Sequence, residues 1–183
     1  YDRGPLRAIA GVRVERTRQE MGGYNVDVDT QIGTPVAYQR DYTHWLPSLN
    51  LRFEPADNLI FRFGAYRSLM RPKPGDLAPR FIIEADGPDG NPLPEEAELG
   101  NPLLEPYEAW NFDATAEWYF SRNGVLSIGL FYKDIDNPIA TVVDETENVI
   151  PAIGFAVEEA EYPISGTTAE VRGFEIGYAQ AFD

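Results

Sequence analysis

Apolar and polar residues alternate with a period of two in one segment of the chain after another, whereas the 3.6-residue spacing of an amphipathic helix is weak throughout. In Tyr107 to Phe120, the residues Trp110, Phe112, Ala114, Ala116, Trp118 and Phe120 fall on one face, and Asn111, Asp113, Thr115, Glu117 and Tyr119 on the other. After a Ser121-Arg122-Asn123-Gly124 turn the pattern resumes, with Leu126, Ile128, Leu130 and Tyr132 opposite Ser127, Gly129 and Lys133. Leu49, Leu51 and Phe53 alternate with Asn50, Arg52 and Glu54. Past the turn Glu54 to Asn58, Leu59, Phe61, Phe63 and Ala65 alternate with Arg62, Gly64 and Tyr66. Two flanking segments, Leu6 to Arg16 and Thr168 to Phe182, behave alike. The pattern predicts an all-β chain of about six antiparallel up-and-down strands in three hairpins.

Connection lengths alternate as well. Short turns lie at Glu54 to Asn58 and Ser121 to Gly124, and long polar segments run over Gln19 to Asp41, Leu69 to Pro106 and Asp134 to Thr167. These long segments are expected to be loops without regular structure, a kind of connection that usually carries function. All short turns then share one end of the sheet and all long loops the other, as in a transmembrane barrel. Aromatics collect near both ends of the apolar faces: Phe53, Phe61, Trp118, Phe120 and Phe182 near the short turns, and Trp45, Trp110 and Tyr132 near the long loops. Such pairs of belts mark membrane interfaces. The opposite faces carry Arg13, Arg52, Arg62, Asp113, Glu117 and Glu175, expected to look into a lumen and onto whatever fills it. A soluble β-sandwich shares the alternation, so composition alone leaves both open. Six strands are too few to close a single-chain barrel, which needs about eight, so the chain is expected to be a fragment of one.

The 183 residues carry 15 Lys+Arg against 30 Asp+Glu, a formal charge of −15. A chain this acidic, with no concentrated basic patch, excludes a nucleic-acid partner. It has no cysteine, which removes disulfides, thiolate metal sites and cysteine nucleophiles. No apolar run approaches the roughly 18 residues of a membrane helix. Acid concentrates in the long connections, and the one from Asp134 to Thr167 contains no Lys or Arg.

Leu46-Pro47-Ser48-Leu49-Asn50-Leu51-Arg52-Phe53, then Asn58 to Ser68 and Arg71-Pro72, resemble the barrel of TonB-dependent outer-membrane receptors. So do Gly100-Asn101-Pro102-Leu103-Leu104-Glu105-Pro106-Tyr107 and Trp110-Asn111-Phe112-Asp113. In Val171-Arg172-Gly173-Phe174-Glu175-Ile176-Gly177-Tyr178 the Gly-x-Glu step is similar to the family's lumen-facing strand. The resemblance is greatest to receptors of the Xanthomonas and Caulobacter type. It implies part of a barrel of about 22 strands in the outer membrane of a Gram-negative bacterium, contacting lipid, its own plug domain and the remaining strands. Such a receptor takes up a small-molecule or oligosaccharide cargo, or a metal chelate, through contact with the TonB complex. Residues 1–183 then form a partial barrel domain without the plug, and Glu105 stands where a basic or polar residue is common. No catalysis and no cofactor are implied.

Several residues invite sharper readings. Arg71, Asp76, Arg80, Phe81 and Tyr107 are the loop residues expected to meet cargo, and Phe81, Tyr107 and Phe155 suit stacking on sugars. Acidic loops disfavour a polyanionic chelate, so neutral oligosaccharide or cationic cargo is expected. The turn-rich Asp86-Gly87-Pro88-Asp89-Gly90-Asn91-Pro92 is a candidate lid, with Arg71-Pro72 and Gly100 to Pro106 fixing the ends of its loop. A lone histidine, His44, beside Trp45 is expected to be an interfacial residue and no metal ligand. Glu95, Glu96 and Glu98 lack the context of a hydrolase pair, and the carboxylates show no ordered calcium-ligand spacing. The competing readings are a soluble β-sandwich carbohydrate-binding or adhesion module and a sandwich glycosidase.

Overall fold

A computed structural model of the chain describes residues 2–27, 32–79, 81–84, 96–145 and 156–181. Its main sheet has seven antiparallel strands in the order β1 (Asp2–Arg3), β2 (Leu6–Asp27), β3 (Ile32–Ala56), β4 (Leu59–Met70), β7 (Tyr107–Ser121), β8 (Gly124–Asp136) and β11 (Thr168–Gln180). Strand β1 pairs through two residues only, leaving the six long up-and-down strands that the alternation predicts. A second sheet, β5 (Phe81–Glu84), β6 (Glu96–Leu99), β10 (Glu159–Ser165) and β9 (Ile139–Asp144), in that order, sits with the single helical turn α1 (Pro74–Leu77) at the long-loop end.

Register confirms the two faces. Leu6, Phe53 and Phe61 stand opposite one another in successive strands, as do Ala8, Leu51, Phe63, Ala114 and Leu130. On β11, Phe174 and Ile176 extend these rows. This face is uncovered: Trp45 is 60% exposed, Ile176 66% and Phe174 70%. Its aromatics form one group at the short-turn end, where Phe53 stacks on Phe61 and Phe120 on Tyr178, and another at the long-loop end around Trp110, Phe112 and Tyr132. Phe182 lies outside the described residues. The buried hydrophobic cluster lies instead in the second sheet, on Ala97, Leu99, Val157 and Ala160. A sheet with its greasy side out and its packed core beyond its end is stable where hydrocarbon covers that side. No helix among the described residues is long and apolar enough to cross a membrane.

The three long connections depart from the expectation of irregular loops. Over 19–41 the ladder of β2 and β3 simply continues, to Asp27 opposite Ile32. These strands run 22 and 25 residues, where about 9–11 span a bilayer. Above the apolar band neither face needs lipid, so the alternation stops while backbone pairing goes on. Within 134–167, β8 and β11 bend into β9 and β10: Asp136 pairs with Thr168, and Ile139 with Ser165. At the bend Asn137 takes a left-handed φ of 55° and Gly166 donates to the Pro138 carbonyl at 2.7 Å; asparagine tolerates that backbone better than most residues. Within 69–106, α1, β5 and β6 form, and β6 joins β10 in parallel about 60 residues away, a pairing no local pattern reveals. The candidate lid 86–92 lies outside the described residues.

The face assignment predicts an asymmetric response in the intact protein. Phe112→Arg puts a cation on the apolar face at a cost of about 2–4 kcal/mol and should abolish outer-membrane assembly, whereas Asp113→Asn, on the polar face, should assemble normally. Heat-modifiable gel mobility checks both, and equal assembly would overturn the assignment.

Candidate functional site

The second sheet caps the long-loop end and is tied down by specific contacts. Arg40, high on β3, donates from Nη1 to the carbonyls of Leu103 and Leu104 at 2.7 and 2.8 Å, and its Nη2 lies 3.3 Å from Glu105. Glu105, a departure from the family pattern in the sequence, thus has a cation beside it. Leu104 itself is buried. The Asn101 amide donates to the Pro163 carbonyl at 3.0 Å, and its backbone N–H to the Asp76 carbonyl at 2.6 Å. At Gly23 any Cβ would sit 2.4 Å from the Pro79 carbonyl oxygen, and at Gly100 1.9 Å from that of Ala78. Both glycines therefore permit chain approaches that no larger residue allows.

Between this cap and the end of the main sheet lies a cavity of about 320 Å³, bounded by Arg71, Lys73, Asp76, Glu98, Tyr107, Glu161 and Tyr162 among others. Its floor is set by register: Met70 and Tyr107 are cross-strand partners on the polar side, and the Tyr107 hydroxyl contacts the Met70 sulfur. Pro72 and Pro74 flank Lys73 where β4 ends and α1 begins, with Pro74 at the first helical position. Arg71 is held from behind, its Nη2 donating to Glu15 at 2.5 Å and to Thr17 at 2.8 Å. Glu15 pushes the Arg71 guanidinium above its ordinary value, so the cation is permanent. Three carboxylates face two cations around the cavity, and one of those cations already has a partner. With two tyrosines in its wall, the cavity offers hydrogen-bond acceptors and aromatic faces in an acidic setting.

Of the residues expected to meet cargo, the structure brings together Arg71, Asp76 and Tyr107. Arg80 lies outside the described residues, as do Glu95 and Phe155; the backbone of Phe81 belongs to β5, and its side chain is not described. Sequence reasoning weighed Glu98 only as part of a hydrolase pair and set it aside, and it did not single out Glu161 or Tyr162 as contacts. Their signals were the acid concentrated in the long connections and alternation in the short runs 96–99 and 159–164, too brief to separate from loop.

The six charged residues of the polar face fall on that face. Arg13 pairs with Glu15 at 2.8 Å, Arg52 with Glu54 at 2.8 Å, and Arg62 with Glu117 through Nε at 3.0 Å and Nη2 at 3.3 Å. Asp113 stands opposite Gly64, and Glu175 opposite Gly129. His44 is not merely interfacial: it meets the Tyr42 ring edge-on, and its Nε2 lies 3.5 Å from Glu108, which also pairs with Arg67. Among the described residues no group of three or more potential metal ligands is found.

Arg40→Ala should loosen the cap, because it removes charge-assisted bonds to two carbonyls, each worth about 1.5–3 kcal/mol. The expected result is faster proteolysis within 81–106 with an unchanged melting temperature of the barrel. Equal cleavage rates would show that the cap holds without this tie.

Comparison with known proteins bears on the whole chain. The family model described as TonB dependent receptor-like, beta-barrel, matches residues 1–183. The structure is similar to the hemophore receptor HasR of Serratia marcescens, solved as a double mutant with its hemophore HasA and heme. Identity there is 17%, over 96% of this chain and 29% of that one, with a TM-score of 0.62. It is similar also to the siderophore receptor PirA of Pseudomonas aeruginosa, at 16% identity over 91% of this chain and 30% of that one, TM-score 0.56. The ferric enterobactin receptor PfeA of the same species matches at 18% over 78% of this chain and 21% of that one, TM-score 0.55. At such identities the likeness is one of fold. The chain spans less than a third of the length of each of these receptors. No curated protein sequence matches it.

Proposed function

The chain belongs to the TonB-dependent receptor β-barrel family, whose members lie in the outer membrane of Gram-negative bacteria, and from that premise we propose that it forms part of the wall and the outer cap of a receptor importing a small-molecule cargo. The carrying observation is the inversion of burial: the apolar face of the long strands is exposed while the packed core sits in the cap. A soluble sandwich or sandwich glycosidase would cover that face with a second sheet, and among the described residues none does so. Remaining strands would close the barrel, a plug domain would fill it, and the TonB complex would energise it. The finer likeness to Xanthomonas and Caulobacter receptors rests on sequence motifs alone.

The cavity under the cap is the proposed cargo site, with Arg71, Asp76 and Tyr107 as contacts. Asp76, Glu98 and Glu161 make its surroundings negative, which repels polyanions and favours neutral polyhydroxyl or cationic groups. Tyr107 and Tyr162 supply the flat apolar surface a sugar ring needs. Titration calorimetry on the intact receptor with neutral oligosaccharides, cationic solutes and polyanionic ferric chelates tests this reading. Tyr107→Ala should weaken binding about tenfold, the loss of roughly 1.4 kcal/mol of aromatic contact, with barrel assembly unaffected. Preferential binding of the polyanionic chelates would overturn the cargo class.

Orientation has its own test. A protease added to whole cells should cut between Phe81 and Leu99 and spare the turn at Asp57-Asn58. The opposite cleavage pattern would reverse the topology.

A further inference from the structure

Strands β3 and β4 separate before either of them ends. Their ladder runs from Ala56 opposite Leu59 to Ser48 opposite Tyr66 and stops there, although β3 extends along β2 as far as Ile32 and β4 along β7 as far as Met70. Pro47, which has no N–H to give, stands at the point of parting. Above it the wall is forked, with the β2–β3 hairpin on one side and β4 with β7 on the other. Side chains cross the gap in place of backbone. Arg71, just past β4, reaches Glu15 and Thr17 on β2, and His44 on β3 faces Glu108 on β7, its Nε2 3.5 Å from Oε1. We propose that His44 is a proton-operated latch across this fork. Uptake of one proton from water turns its ring into an imidazolium that donates from Nε2 to Glu108 and binds the hairpin to β7.

The atoms around the contact are arranged for that proton. Glu108 gives Oε2 to Arg67, and its Oε1 is buried without a hydrogen bond, as is the His44 Nδ1. The two side chains are only 16% and 13% exposed, and polar atoms buried in this state are costly to leave unpaired. A neutral imidazole has a single N–H. On Nε2 it serves Glu108 and leaves Nδ1 a bare acceptor; on Nδ1 it turns a lone pair toward a carboxylate. The imidazolium donates from both nitrogens and makes the contact a charge-assisted bond.

Charges from every neighbouring element bear on the ring. Glu15, directly opposite on β2, and Glu108 on β7 favour the proton. Arg13 on β2, Arg40 on β3, Arg67 on β4 and Arg71 oppose it, but each lies beside a carboxylate: Glu15 for Arg13 and Arg71, Glu108 for Arg67 and Glu105 for Arg40. Tyr42 meets the ring edge-on, and the Tyr107 hydroxyl is engaged with Met70. The arginines thus act through carboxylates that screen them, whereas the ring and Glu108 Oε1 face each other directly, so that contact decides. The bond exists while the ring is protonated: the fork is closed in acid and opens as pH rises through the range, about 5 to 8, in which histidine ordinarily changes charge. The hairpin carries Arg40, which holds the cap at the Leu103 and Leu104 carbonyls, and it anchors Arg71 at the cavity. Acid therefore steadies the mount of the cap, whatever the cavity binds.

Hydrogen exchange with mass spectrometry on the full-length receptor in detergent reads the fork directly. Rates for peptides covering 42–47 and 66–71, each divided by the chemical exchange rate at that pH, are compared at about pH 5.5 and about pH 8. Heat-modifiable mobility first checks that every variant assembles. The wild-type protein should be protected about threefold more strongly in acid, the scale of a part-exposed ion pair, with peptides of β8 and β11 unchanged. His44→Gln and Glu108→Gln should lose the difference, and His44→Lys, which keeps a cation at the position, should be protected at both pH values. No pH difference in the wild-type protein, or the same difference in His44→Gln, would overturn the latch. A difference that survives in Glu108→Gln would overturn Glu108 as its partner, and if that variant fails to assemble, His44→Gln and His44→Lys decide.

Discussion

Hydrocarbon on one side of the sheet is the constraint on which the rest of this structure depends. Six strands place Leu, Phe, Trp and Ile on a common face that no other part of the described chain covers. In water that face would drive collapse or association; against lipid it is at rest, and there the backbone groups of the inner strands β3, β4, β7 and β8 find partners across the ladder on both sides. Because lipid does the covering, the wall needs no second layer. The opposite face is then released to carry the charges, glycines and small residues of an interior surface.

Beyond the lipid the problem changes, and the chain solves it differently. The cap has to hold its shape in water, and it does so with a small core of Ala97, Leu99, Val157 and Ala160 between short strands. Alanines at two of the four positions let strands and cover approach closely, at the cost of little buried area. Such a core is weak by itself. The cap is accordingly bound to the wall by continuity, through the bend at Asn137 and Gly166, and by polar ties from Arg40 and Asn101 to backbone carbonyls. The long hairpin of β2 and β3 acts as a buttress, meeting the cap at Gly23 and Arg40.

This division puts the proposed cargo site at the seam. Arg71 links wall and cavity: its guanidinium is anchored on Glu15 and Thr17 of β2 while it borders the space under the cap. A ligand there would touch both the rigid wall and the less stable cap, so its binding energy could be felt by each.

The sequence by itself determined the wall. Alternation in 49–53, 59–65, 107–120 and 126–132 set strand, face and neighbour, because a strand half in lipid must sort its side chains with period two. The short turns and the aromatic belts followed from the same boundary. It also marked Arg71, Asp76 and Tyr107, since they flank the point where the wall ends. Only the tertiary structure decided that residues 19–41 continue as strands, that β6 and β10 pair in parallel across about 60 residues, and that Glu98, Glu161 and Tyr162 join the cavity. Above the membrane no solvent boundary imposes a pattern on the side chains. Pairing there is made by backbone groups that every residue carries alike, so which segments meet is settled by the fold as a whole.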